Sequence, residues 1–345
     1  MRVGIICKLD GLANSVRPRE LKRFLEKRGH EVILLDVHDR QFNAKWHFRM
    51  CKLKSLMKGT GWSYSYQLES IRHRALVLEK EIRPLKLGAL ICEDFLSAYV
   101  LTRDLGCITI YDEPTPTIPE IRETPELQIL PNEIEQLAAI EKEILSTADV
   151  VSFHWHSYAE YVKENGDGSI NLITLDWGCH PAQERAKFAR PARVAFLGSL
   201  GTSWMAPDML ARLVAQSERR VDVYGLPAPP NPCELNYKGY AEPDILREYQ
   251  FGLVTISRNH PLKCKGFSAK HMEYISYGLP VLEPEWREIS GLEETCISYN
   301  EENFMEKIEE YSDPEKWQEM SDIAYECAKR YDWDKTLQPL ADIIG

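Results

Sequence analysis

The stretch Gly266-Phe-Ser-Ala-Lys-His-Met-Glu-Tyr-Ile-Ser-Tyr-Gly-Leu-Pro-Val-Leu282 decides the fold. It reads as a loop, a capping serine, a helix, a glycine stop and a buried strand. Ser268 is placed to cap the helix through its hydroxyl. Lys270 and Glu273 fall one turn apart on one helical face. Gly278 closes the helix, and Pro280 leads into the next strand. A cation near a helix N-terminus suits a phosphate, because the free amides there already attract anions. A carboxylate one turn on can accept two hydroxyl hydrogen bonds, which suits a sugar diol. Phosphate plus ribose describes a nucleotide. The same pattern also fits an ordinary amphipathic helix before a buried strand.

Outward from this stretch the chain alternates strand and helix. Arg2–Cys7 reads as a buried strand, residues 19–28 as a helix and residues 31–37 as the next strand, which together make a βαβ unit. Its first loop, 8–14, lacks the G-x-G-x-x-G of dinucleotide enzymes, which tells against a nicotinamide cofactor. Residues 40–86 read as helical and polar with an interruption at 59–66. Strands are expected at 87–93, 107–111, 148–153 and 171–175, and helices near 95–104, 132–146 and 157–165. Pro114, Pro116 and Pro119 are expected to hold the intervening loop out of helix. Residues 182–190 read as a linker. A second series follows, with strands at 193–198, 221–224 and 251–256, a helix near 206–216, and helix from 314 onward with a break near 331–332.

The length of 345 residues suggests two domains. Nine cysteines without a C-x-x-C pair fit free thiols rather than a disulfide framework or a zinc site. Met1 runs straight into a strand and no apolar run is long enough to span a bilayer, so no leader is expected and the expected location is cytoplasmic. Charge is uneven. Residues 1–90 hold 19 Lys+Arg against 9 Asp+Glu, and the remainder 23 against 44. The basic half should meet something anionic. No nucleic-acid module is recognisable, so nucleic acid is not expected as a partner. The stretch Lys45–Lys58 mixes cations with Trp46, Phe48 and Met50 as interfacial helices do, and so points to peripheral contact with the inner face of a membrane, while also fitting a solvated basic helix.

The segment around Lys270 resembles the donor-site motif of GT-B glycosyltransferases, K-x-x-E-Y-x-x-x-G-x-P-V. "STADVVSFHWHSYAEYV", "LITLDWGCH" and "RVAFLGSLGTSW" resemble further landmarks of that superfamily in the same order. The resemblance implies an α/β fold of two Rossmann-like domains with an interdomain cleft, at 1–182 and 190–328, and a C-terminal crossover helix at 329–345 that packs back on the first. It implies transfer of a sugar from a nucleotide diphosphate donor to a hydroxyl acceptor, with the nucleotide sugar as co-substrate and no other cofactor. The N-terminal domain would take the acceptor, a lipid-linked glycan, a polysaccharide or a small molecule.

Donor contacts are expected from Gly198, Ser199, Gly201 and Thr202, whose small residues let backbone amides approach a pyrophosphate, and from Lys263, Lys265, Lys270 and Glu273. Many retaining members carry Glu-x7-Glu. Here Glu273 matches the second acid and Lys265 stands at the first, which favours inversion and a single general base. No metal is expected if cations and helix amides neutralise the leaving diphosphate. Asp112 is the first candidate base and Glu113 the second, because both end a strand where parallel sheets place their ligand crevices. Glu93 and Asp94 are in reserve. His154 and His156 flank Trp155 and lack an obvious third metal ligand, so they read as sugar contacts or strand-end histidines. Trp177 and His180 could offer a stacking face to a sugar. A nucleotide-sugar epimerase and a silent nucleotide-sugar-binding protein fit the same architecture.

Overall fold

A computed structural model describes residues 1–9, 15–37, 49–50, 53, 57, 68–127, 129–165 and 170–345. The chain divides into two units. The first comprises Met1–Asp176 with Thr336–Gly345, and the second Trp177–Lys335.

Unit 1 is built on a six-stranded parallel sheet of order β2-β1-β3-β4-β5-β6. The strands are β1 Arg2–Cys7, β2 Glu31–Asp36, β3 Ala89–Cys92, β4 Ile108–Glu113, β5 Val150–Phe153 and β6 Leu172–Thr174. β1, β3, β4 and β5 are nearly all buried, as runs of Val, Ile, Leu and Cys require when helices cover both faces. Helices Val16–Glu26, Leu68–Ile82 and Pro131–Thr147 supply that cover. In the first, Arg17, Leu21, Phe24 and Leu25 are buried at helical spacing. The strand order reverses between β1 and β3, the switch point at which α/β sheets open toward ligands.

Unit 2 repeats the plan with order β12-β11-β10-β7-β8-β9. Its strands are β7 Val194–Leu197, β8 Val221–Tyr224, β9 Tyr237–Gly239, β10 Phe251–Leu253, β11 Val281–Pro284 and β12 Cys296–Tyr299. Here the reversal falls between β7 and β10. Gly252 is held to glycine by packing, since a Cβ there would lie 2.2 Å from the Tyr274 ring.

Several local expectations change. The span 95–104 is not one helix but a turn of helix, Phe95–Ala98, running into a tighter 3₁₀ turn, Tyr99–Thr102. The proline-rich loop contains the helix Thr117–Arg122, because Pro119 sits in its first turn, where a missing N–H breaks no helical bond. The stretch 182–190 is tied down rather than free. Ala182 and Ala186 donate backbone N–H groups to Ser276 and Tyr277, and Arg185 reaches Ser321 at 2.9 Å and Asp322 at 2.6 Å. The expected interfacial helix at 45–58 lies mostly outside the described residues. Of it, Arg49, Met50, Leu53 and Met57 are described, and all four are exposed. No helix among the described residues is long and apolar enough to cross a membrane.

Candidate functional site

In unit 2 the helix Ala269–Ser276 starts where the sequence places it, with Ser268 at the N-cap in extended backbone. Its hydroxyl makes no capping bond, contrary to expectation. The entry is held instead by a buried network that sequence reading missed. Arg287 donates to the Gly266 carbonyl oxygen and, with one nitrogen, to both oxygens of Glu283 at 3.1 and 2.9 Å. His271 lies between Glu283 at 2.8 Å and the Thr295 hydroxyl at 2.7 Å. Burial alone would raise the Glu283 carboxyl, but Arg287, then His271, outweigh it and hold it below the usual range. The network joins β11, the 3₁₀ turn before β12 and the loop before the helix, so the first turn is fixed by charge rather than by a cap.

Lys270 emerges from that turn and is 8% exposed. Its ammonium lies 3.2 Å from the Met205 sulfur, 5.2 Å from the Phe196 ring and 5.7 Å from the Trp204 ring. Burial lowers its pKa to about 8, with Glu273 pulling the other way. A thioether and two ring faces are weak partners for a cation, so most of its binding capacity remains unused. The Lys270 stem passes directly over Gly198, where a Cβ would come within 2.6 Å of it. Gly225, at the end of β8, has φ of 151°, and a Cβ there would meet the Gly198 carbonyl oxygen at 1.7 Å. Two glycines thus let the β7 and β8 ends close together beneath the lysine.

One turn beyond Lys270, the partly buried Glu273 carboxylate makes no hydrogen bond or ion pair with a described residue. Burial raises its pKa to about 7, opposed by Lys270. The loop 198–202 adds an exposed Ser199, whose hydroxyl accepts weakly from the Gly201 amide at 3.4 Å, and a buried Thr202 hydroxyl without a partner among the described residues. Lys263, in the short helix Pro261–Lys265, lies 5.5 Å from the Trp204 ring centre, and Lys265 is exposed. Structure therefore gathers Gly198, Lys270 and, through Trp204, Lys263. Trp177 belongs to a separate aromatic cluster, stacked on Phe267 at 5.3 Å and tilted against Trp333 at 5.4 Å. It is 9% exposed, which leaves little face for a sugar. His180 is exposed.

In unit 1, Asp112 and Glu113 lie within β4 and so face opposite sides of the sheet. Asp112 is fully buried. Arg17, 1% exposed, grips both its oxygens at 2.7 and 3.0 Å, and Ser152 donates to it at 2.7 Å. Arg17 also donates to the Leu175 carbonyl oxygen at 2.7 Å. Burial would raise the Asp112 pKa, but Arg17 foremost and His154 next hold it below the usual range. A carboxylate so paired is a poor general base, which tells against the expectation for Asp112. Glu113 accepts from the Thr117 hydroxyl, and burial followed by the Glu141 charge pushes its pKa well up. It is 2% exposed, which tells against contact with an acceptor. His154 is buried, and burial foremost, then Arg17, hold it neutral. His156 starts the next helix and pairs with Asp176 at 3.2 Å. The two imidazoles therefore take different partners. Among the described residues no cluster of His, Cys, Asp and Glu is placed to hold a metal ion.

Asp94 is occupied, by Lys8 at 2.6 Å, Arg74 at 3.3 Å and the Ser97 hydroxyl at 2.6 Å. Glu93 differs from all of these. It follows β3 at the switch point, and its Oε1 is buried without a partner among the described residues. Burial, then the Asp112 charge, push its pKa well above the usual range against Arg17.

No family model matches the chain, and no curated protein matches it in sequence. Solved structures do match in fold. Sucrose-phosphate synthase from Thermosynechococcus elongatus superposes with a TM-score of 0.72 at 12% identity, covering 99% of this chain and 98% of that one. Anabaena HepE in complex with UDP-glucose gives 0.68 at 10% identity, with 100% and 99% covered. The α,α-trehalose 6-phosphate synthase of Burkholderia multivorans gives 0.65 at 10% identity, with 99% and 96% covered. The likeness runs through both units, and the fold is the GT-B fold of glycosyltransferases.

Proposed function

We propose that the chain is a glycosyltransferase that moves a sugar from a nucleotide diphosphate donor to a hydroxyl acceptor. The observation that carries this reading is the pair Lys270 and Glu273. A buried ammonium with weak partners sits over a glycine turn, and a carboxylate without a partner among the described residues lies one helical turn away. The cation and the amides of the 198–202 loop suit a diphosphate. The carboxylate suits the ribose diol. Unit 2 takes the donor and unit 1 the acceptor. The fold shared with HepE, whose structure holds UDP-glucose, supports the donor class.

Transfer inverts the anomeric centre and needs no metal. Lys265 stands where retaining members carry an acid, and Lys270 with Lys263 can neutralise the leaving diphosphate. With Asp112 locked to Arg17, the role of general base passes to Glu93, which follows β3 at the switch point and whose Oε1 has no partner among the described residues.

The test is a thermal-shift screen of nucleoside-diphosphate sugars on the full chain, followed by product analysis. A donor at ~100 times its Kd should add about 2.7 kcal/mol. Glu273→Ala should weaken that donor by about 1.5–3 kcal/mol while the fold is retained. A chain stabilised by none of them is not a transferase of this class. Conversion of the donor alone to an isomer would assign an epimerase, and proton NMR of the fresh product reads inversion directly.

A further inference from the structure

A groove of about 600 Å³, whose lining does not include Lys270, lies along the C-terminal strand edge of unit 2. That is within the ~300–1,000 Å³ of small-molecule sites. It is formed by the loops after β10, β11 and β12 and by the helix Pro207–Gln216. Trp286 is its aromatic element, fixed by an Nε1–H bond to the Ile256 carbonyl oxygen at 3.0 Å. The Arg258 guanidinium lies 4.2 Å from the ring centre and pairs with Glu285 at 3.2 Å. The other Glu285 oxygen accepts from Asn300 at 3.0 Å. Across the groove Arg212 is matched to Glu301 by two bonds, at 2.5 and 2.9 Å.

The charge pattern selects the ligand. Each arginine of the lining has its own glutamate, so no cationic charge is left for a phosphate, sulfate or nucleotide. What remains is a set of fixed donors and acceptors around an indole. Hydroxyl groups can bridge such donors and acceptors, and an apolar C–H face can lie against the part of the ring that Arg258 does not cover. The groove is also joined to the donor-side loop. Ser257 donates its amide to the Trp204 carbonyl at 2.8 Å, and the Thr255 hydroxyl bonds the Met205 carbonyl at 2.6 Å.

We propose that this groove binds a neutral oligosaccharide. The inference does not rest on sugar transfer, and it holds for a transferase, an epimerase or a silent binder alike.

The experiment is ¹⁹F NMR of the full chain labelled with 5-fluorotryptophan. The resonance of position 286 is assigned by its loss in Trp286→Phe. Maltotetraose, cellotetraose, mannotetraose, chitotetraose and a heparin tetrasaccharide are titrated to about 10 mM, ten times the Kd of a weak millimolar contact. A saturable shift of the 286 signal with at least one neutral tetrasaccharide, weakened several-fold by the exposed Arg212→Ala, is the expected result. No shift with any neutral sugar overturns the proposal. So does a shift with the heparin fragment alone, because that would assign an anion site. Donor affinity is read separately by calorimetry, so failure here leaves the transferase reading untouched.

Discussion

At the residue scale, the decisive groups are those whose charge is unspent. Lys270 has a pKa lowered to about 8 and Glu273 one raised to about 7, burial being the main cause of both. Donor binding by this pair needs the carboxylate ionised and the ammonium charged. Affinity should therefore rise as pH passes about 7 and fall again above about 8. Glu273→Gln should remove the acid limb, and Lys270→Arg should push the basic limb upward. Calorimetric titration across that range checks both; a flat profile would disconnect the pair from the donor. Asp112 makes the opposite case. Asp112→Asn leaves the Arg17 charge buried without its counter-ion, which should cost about 3–5 kcal/mol of stability. Denaturant unfolding measures it. A variant of normal stability that had lost turnover would restore Asp112 as the base.

At the element scale, the helix Thr117–Arg122 depends on a neighbour. Glu141, from the helix Pro131–Thr147, accepts the Ile118 amide at 3.1 Å. Burial raises its pKa to about 7. A carboxyl raised on folding stabilises fully below its unfolded value near 4.5, and that contribution is lost as pH rises through about 7. Unit 1 should lose up to about 3 kcal/mol over that window, and Glu141→Gln should flatten the loss while keeping the acceptor oxygen. Chemical denaturation at several pH values tests this. The segment 45–58 carries a second prediction. Its described apolar residues Met50, Leu53 and Met57 are exposed, and the surrounding sequence is cationic. Flotation with anionic vesicles should recover the chain at low salt and much less at high salt, since each cation near an anionic leaflet adds about 1 kcal/mol. Equal recovery with neutral lipid would count against it.

Most elements were legible because long apolar runs and glycine stops announce buried strands and helix ends. β9 and β12 were not, since strands of three and four residues with mixed polarity give no period to read. The Lys270–Glu273 pair was legible from its spacing on one helix. The Glu283–His271–Arg287 network was not, because tertiary packing assembles it and no local rule links those positions. Arg17 left one signal. It falls in register with Leu21, Phe24 and Leu25, and a cation on an apolar stripe implies a buried acid to meet it.

At the scale of the whole molecule, the two units differ in how the chain builds them. The helix Gln338–Ile344 groups with unit 1, and Arg28 donates to Gln338 at 2.8 Å. Leu337, Leu340 and Ile344 are buried. Each such side chain is worth about 1.5–3 kcal/mol, so deletion of 336–345 should destabilise unit 1 by several kcal/mol. Hydrogen exchange resolved by peptide should show faster exchange in β1–β5 and unchanged protection in β7–β12. Uniform loss across both would mean that the segment supports the molecule as a whole.

Unit 1 is assembled from two distant stretches of chain, whereas unit 2 is a single continuous one. On the ribosome this sets an order. Unit 2 has all its residues once Lys335 has left the exit tunnel. Unit 1, although synthesised first, waits with an incomplete core until residues 336–345 have emerged, so the half made earlier is the half finished last. Until then its core lacks Leu337, Leu340 and Ile344, which should leave it the more open of the two units to chaperones while unit 2 is translated.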